Sequence, residues 1–159
     1  MIIIGYQGIG KSTLAGKDNK FIDLESGNFW VNGERAENWH IPYCQIAEHL
    51  SKQGYIVFTS SHQCVRDWFK YHGTQIIVTC FPSLDLKDKW IEKLEKRYNE
   101  SHLEKDYKAL LNAKDRYEQN ILELKNEEDF YQLEITDIPY SLHAGIITFI
   151  EEIVEKRYD

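Results

Sequence analysis

Apolar residues recur along this chain in two rhythms. Ile2-Ile3-Ile4 is a short unbroken β-branched run closed by Gly5, the pattern of a strand buried on both faces. Phe21-Ile22-Asp23-Leu24, Tyr55-Ile56-Val57-Phe58 and the run from Gln75 to Phe81 repeat it, the last stopped by Pro82. Asp129 to Ile135 alternates instead, which predicts a fifth strand nearer a sheet edge. Between these runs the period changes to that of a helix. A short helix is predicted from Lys11 to about Lys17, and another from Pro42 to about Gln53, with Ile46, Ala47 and Leu50 on one face and Gly54 as its stop. A third starts near Cys64. Leu86, Trp90, Leu94 and Tyr98 return every fourth residue, and Leu103, Tyr107, Leu110, Tyr117, Ile121 and Leu124 form the face of a longer helix. A closing helix runs from Leu142 to about Lys156 with Ile146, Phe149, Ile150 and Ile153 inward. Glu25 to Ile41 has glycines, asparagines and aromatics with no period and reads as a loop-rich insertion. Strands alternating with helices predict an α/β protein whose parallel sheet is covered on both faces.

Composition narrows the possibilities. With 159 residues, 42% hydrophobic and 28% charged, the chain suits a single folded domain over 1–159 and not a disordered segment. Twenty-six acidic residues against 19 basic ones give a net charge of -7, which disfavours general binding to nucleic acid or anionic membranes. No apolar run approaches the roughly 20 residues of a membrane span. Met1 to Gly5 is too short for the core of a signal peptide and has no basic residues before it. Cys44, Cys64 and Cys80 are widely spaced and form no metal-binding pattern, so reduced thiols and a cytoplasmic location are expected. Monomer and homodimer are both open.

One segment carries chemistry. Gly5-Tyr6-Gln7-Gly8-Ile9-Gly10-Lys11-Ser12 matches G-x-x-x-x-G-K-[ST] in full, after a β-branched strand and before a helix. Glycines let a loop curl until its N–H groups surround phosphate oxygens. Gly8, Ile9, Gly10, Lys11, Ser12 and Thr13 are therefore the expected phosphate-contacting residues. Lys11 would reach the β- and γ-phosphates, and the Ser12 hydroxyl would ligate Mg²⁺.

On this motif the chain resembles the P-loop nucleoside-triphosphate superfamily, and within it the small nucleotide and small-molecule kinases such as adenylate, guanylate, shikimate and gluconate kinases. Only the loop is a specific match; the remainder is an order of elements. The resemblance implies a three-layer fold with a five-stranded parallel sheet in the order 2-3-1-4-5, a substrate-binding insertion at about 26–43 and a helical lid at about 86–125. It also implies phosphoryl transfer from ATP with Mg²⁺. Asp23 and Glu25 close the second strand on one face. Asp23, the preferred of the two, would hold Mg²⁺ or take a proton from a hydroxyl acceptor. Thr59-Ser60-Ser61 follows the third strand where motor ATPases and GTPases carry an aspartate, and N-K-x-D is missing, so neither of those classes fits.

Arginine forks bind phosphate oxygens bidentately and keep their charge. By position, Arg66 resembles an acceptor-phosphate arginine, and Arg97 and Arg116 resemble lid arginines that clamp the transferring group and assist Lys11. Arg35 lies in the insertion. There Trp30 and Trp39 can stack on a base beside Phe29 and Tyr43, or simply pack together. His62 has no metal-spaced partner, and G-x-S-x-G is missing. The first functional expectation is a nucleoside monophosphate kinase, with ATP and a small-molecule acceptor as partners. Two alternatives stay open: a kinase of a hydroxyl acceptor, a nucleoside or sugar acid, with Asp23 as base; and a regulatory P-loop module that binds ATP without transferring phosphate.

Overall fold

The computed structural model of this protein describes residues 1–158. Its elements follow in the order β1 (Ile2–Gly5), α1 (Lys11–Lys17), β2 (Phe21–Asp23), β3 (Trp30–Val31), β4 (Glu34–Arg35), α2 (His40–Lys52), β5 (Ile56–Thr59), α3 (Gln63–His72), β6 (Ile77–Pro82), α4 (Lys87–Ser101), α5 (Glu104–Lys125), β7 (Tyr131–Ile135) and α6 (Leu142–Tyr158). Five strands make one parallel sheet, β2-β5-β1-β6-β7, with the alternating strand β7 at an edge. Ile3 pairs with Phe58 on one side and Val78 on the other. This central strand is the unbroken isoleucine run, and Ile2, Ile3 and Ile4 are all buried, as strands covered on both faces require.

The insertion departs from the expected loop. Ser26–Phe29 is a 3₁₀ turn, and β3 and β4 form an antiparallel hairpin that pairs Trp30 with Arg35 and Val31 with Glu34. Asn32 and Gly33 join them with φ of 53° and 82°, the left-handed pair that an Asn-Gly hairpin turn demands. These two short strands enter the chain count before β5, so the order is 2-5-1-6-7 and not 2-3-1-4-5. Over the sheet strands alone, the succession is second, third, first, fourth, fifth.

Helices meet the sheet through the expected faces, with three corrections. α2 starts at His40 and buries Tyr43, Cys44 and Ala47, which turns Ile46 out to solvent. Leu103 and Tyr107 are exposed, because the first turns of α5 overhang the sheet. The segment 86–125 is also not a detached lid. Leu86, Trp90, Leu94, Leu110, Tyr117, Ile121 and Leu124 are all in the core, so only the α4–α5 corner stands clear of it. No helix among the described residues is long and apolar enough to cross a membrane.

Arg66 on α3 fastens this part of the fold. It is 5% exposed, and its guanidinium meets Glu127 at 2.7 Å, Glu123 at 3.1 Å and the Ser61 carbonyl at 3.1 Å. Lys70 adds a contact to Glu127 at 2.9 Å. Removing one partner of a buried ion pair strands the other in a poor solvent. Arg66→Ala should therefore lower unfolding free energy by about 3 kcal/mol, read by denaturant titration, whereas Arg116→Ala on the exposed side of α5 should be nearly neutral.

Candidate functional site

In a parallel sheet a crevice opens where successive connections leave in opposite directions. Here the chain passes from β1 to β2 and β5 on one side, then crosses to β6 and β7 on the other. The loop after β1 sits at that switch. It forms the floor of a cavity of about 970 Å³, walled by Asp23 to Ser26 at the end of β2, Ser60 after β5, the α4–α5 corner and residues 138–143 leading into α6.

The loop is held by two aromatic side chains. Trp90 Nε1 donates to the Gln7 carbonyl at 2.9 Å, and Tyr140 Oη donates to the Ile9 carbonyl at 2.6 Å. In a trans peptide the next N–H points opposite the carbonyl. Fixing these two carbonyls therefore turns the N–H groups of Gly8 and Gly10 away from Trp90 and Tyr140. Gln7 itself is tied to α5, donating through Nε2 to the Ala109 carbonyl at 2.9 Å and Asn112 Oδ1 at 3.1 Å. Gly8 has φ 85°, and Gly10, the residue before α1, has φ 107°. Among the described residues, the N–H groups from Gly8 to Thr13 meet no acceptor of the chain; the first helical bond is from Leu14 to Gly10. Consecutive free donors on a curled loop make an anion-binding concavity.

Lys11 enters the same space and donates to the Gly5 carbonyl at 3.2 Å. Burial pushes its pKa down, and the carboxylates of Asp23 and Glu25 oppose that shift. Burial raises the pKa of Asp23, with Glu25 adding to the rise and Lys11 and Lys105 opposing it. Tyr43 Oη joins the ends of β2 and β5, donating to the Leu24 carbonyl at 2.6 Å and accepting from Ser60 N at 2.8 Å, and so fixes where these acids stand. Ser12 and Asp23 face one cavity with hard oxygen donors. That set fits Mg²⁺, which takes one or two protein ligands and fills its octahedron with phosphate oxygens and water. No cluster of three or more metal-ligating side chains occurs among the described residues.

The remaining candidates separate. Arg97 lines the cavity and pairs with Asp106 at 3.0 Å. Arg66 does not reach it, because Glu123 and Glu127 occupy its guanidinium. Arg116 is exposed at a kink in α5 (φ -135°, ψ 19°), away from the cavity lining. Trp30, Arg35 and Trp39 form a cluster beside the cavity and not in its wall. The Arg35 guanidinium lies 5.5 Å from the Trp30 ring and 5.1 Å from the Trp39 ring, and donates to Ser26 Oγ at 3.2 Å. Trp39 packs on Phe29, Tyr43 and His62. Of the two roles open to these aromatics, packing is the one visible here. Desolvation first, then the charges of Arg35, Lys11 and Arg66, push the His62 pKa down to about 4, although part of the ring meets solvent. Cys44, Cys64 and Cys80 are free thiols.

Sequence reasoning missed Lys93, Lys105 and Tyr140, all in the cavity wall. One signal was available. Lys93 and Arg97 lie four apart on α4, so they share a face.

Fold and site together define an α/β protein with a cation-lined crevice at the carboxyl ends of a parallel sheet. No family model matches the chain, and no curated protein matches it. The crystal structure of an uncharacterized protein from Eubacterium ventriosum ATCC 27560 is similar, with a TM-score of 0.50 and 12% identity over 97% of each chain. At that identity the likeness shows the fold alone.

Gly8 offers a direct check on the loop. A Cβ there would lie 2.8 Å from Leu94 Cδ2 and 3.2 Å from Trp90 Nε1, on a backbone already at φ 85°. Gly8→Ala should cost about 1–3 kcal/mol of stability and shift the fluorescence of the buried Trp90, read in one denaturation series.

Proposed function

We propose that this protein is a Mg²⁺-dependent phosphotransferase that takes the γ-phosphoryl group from ATP. The observation that carries the reading is the pinned loop, whose unpaired N–H groups and Lys11 belong to the lining of a crevice large enough for a nucleotide. The full G-x-x-x-x-G-K-[ST] match, the topological switch beside β1 and the succession of the sheet strands support a P-loop kinase-like fold. In the reaction the acceptor oxygen would attack the γ-phosphorus in line. The bond from phosphorus to the β,γ-bridging oxygen breaks, and ADP departs with its electron pair. The loop donors, Lys11 and Arg97 would meet the charge that spreads over the transferring group. Ser12 would hold Mg²⁺, which when bound neutralises phosphate charge; with a phosphate acceptor Asp23 would be its second ligand.

The acceptor divides the reading. A nucleoside monophosphate needs a cation for its phosphate; Arg66, Arg116 and Arg35 are engaged or directed elsewhere, which leaves Lys105, whose charge acts on Asp23. The β2 end of the crevice shows Asp23, Glu25, Ser26 and Ser60. These positions favour a hydroxyl acceptor, a nucleoside or sugar acid, with Asp23 receiving its proton.

Lys11→Ala should weaken Mg²⁺·ATP binding and lower transfer by about 10²–10³-fold, with the melting temperature little changed. Arg97→Ala should lower kcat more than it raises KM, since the arginine meets charge that grows toward the transition state. ADP release should follow addition of nucleosides or sugar acids and not of monophosphates. Turnover of a monophosphate would restore the first acceptor expectation. ATP binding without transfer to any acceptor would make the chain a binding module.

A further inference from the structure

Lys93 projects from α4 into the crevice one turn before Arg97. Its ammonium lies 4.5 Å from the centre of the Trp90 ring and 4.8 Å from that of Tyr140, beside the stacked pair and at the hydroxyl edge of Tyr140. Those are the side chains that pin the loop. Lys93 Nζ also donates to Tyr140 Oη at 3.0 Å, and that hydroxyl donates onward to Ile9. One of three ammonium donors is thereby used. No carboxylate of the described residues lies within 4.0 Å of Nζ, whereas Arg97 has Asp106. Burial and the Arg97 charge both push the Lys93 pKa down. A half-buried cation set against the Trp90 ring and the Tyr140 hydroxyl, beside a second cation and without a counter-ion, is an arrangement that an anion completes.

We propose that Lys93 is a phosphate-contacting residue of this crevice, binding the polyphosphate of the nucleotide whose phosphates the Gly8–Thr13 loop cradles. The assignment rests on the function proposed above. It makes the aromatic pair serve twice: Trp90 and Tyr140 set the loop peptides, and the Trp90 ring and the Tyr140 hydroxyl place the ammonium beside the same phosphates. The competing role is a lysine that only steadies the two rings. That role predicts no dependence on the number of phosphates in the ligand.

The test is calorimetric binding of ATP, ADP and adenosine, with Mg²⁺, to the whole chain. Lys93→Met should weaken ATP binding about tenfold or more, as loss of a charge-assisted contact does. Adenosine binding should stay within about twofold, and the salt dependence of ATP binding should become shallower. Lys93→Arg, which keeps the charge, should remain near wild type. Should Lys93→Met not fold, Lys93→Gln is read the same way. ATP binding at wild-type strength in Lys93→Met, or equal losses for ATP and adenosine, overturns the assignment. If Lys11→Ala loses ATP while Lys93→Met keeps it, only the Lys93 role falls. A wild-type chain that binds neither ATP nor ADP overturns the proposed function and this assignment with it.

Discussion

The direction in which two main-chain carbonyls point governs the rest of this molecule. Gln7 and Ile9 turn their oxygens to Trp90 Nε1 and Tyr140 Oη, and the amide hydrogens of Gly8 and Gly10 turn away from those side chains as a consequence of peptide planarity. A buried indole or phenol needs a partner for its polar atom, and both find it here in the loop backbone. Core packing and site geometry are therefore one set of contacts. The apolar body of Trp90 is buried with Leu94 under α4, while its single donor sets a peptide in the crevice floor. Close approach of that helix is possible only because residue 8 is glycine.

Charge follows a similar division. The chain is acidic overall, yet Lys11, Lys93, Arg97 and Lys105 gather in one crevice. Arg66 looks equivalent in a sequence and is not, since it spends its fork on Glu123 and Glu127. A guanidinium already satisfied on several sides has little left to offer a ligand, whatever its position relative to a strand end.

What could be read from the sequence follows from range. β1, α1 and the sheet strands announce themselves by local period, although β6 begins at Ile77 and takes in Pro82, the stop that the pattern predicts, which instead pairs with Ile135 at the sheet's edge strand. The loop motif is also local. The hairpin was equally local, signalled by Asn32-Gly33, but the surrounding aromatics obscured it. The fate of Arg66 was not legible, because its partners lie 57 and 61 residues away and many acids could have supplied them. Tyr140, 131 residues from Ile9, belongs to the site for the same long-range reason. The exposed Leu103 and Tyr107 show the limit of periodicity: a helix can keep its apolar face past the point where the body beneath it ends.

The helix α1 has a further consequence. It spans seven residues and buries none of them fully, with only Leu14 and Ala15 resting partly on the core. So short a helix does not persist on its own nucleation energy. It lasts because a rigid loop precedes it and β2 follows it. Its amides thus belong to a cooperative unit much weaker than the sheet, free to open and exchange with solvent while the rest stays folded. The first three of those amides, at Lys11, Ser12 and Thr13, lack acceptors in the chain. A group that supplies those acceptors completes the helix as well as occupying the crevice, so occupancy would register first as slowed amide exchange along α1.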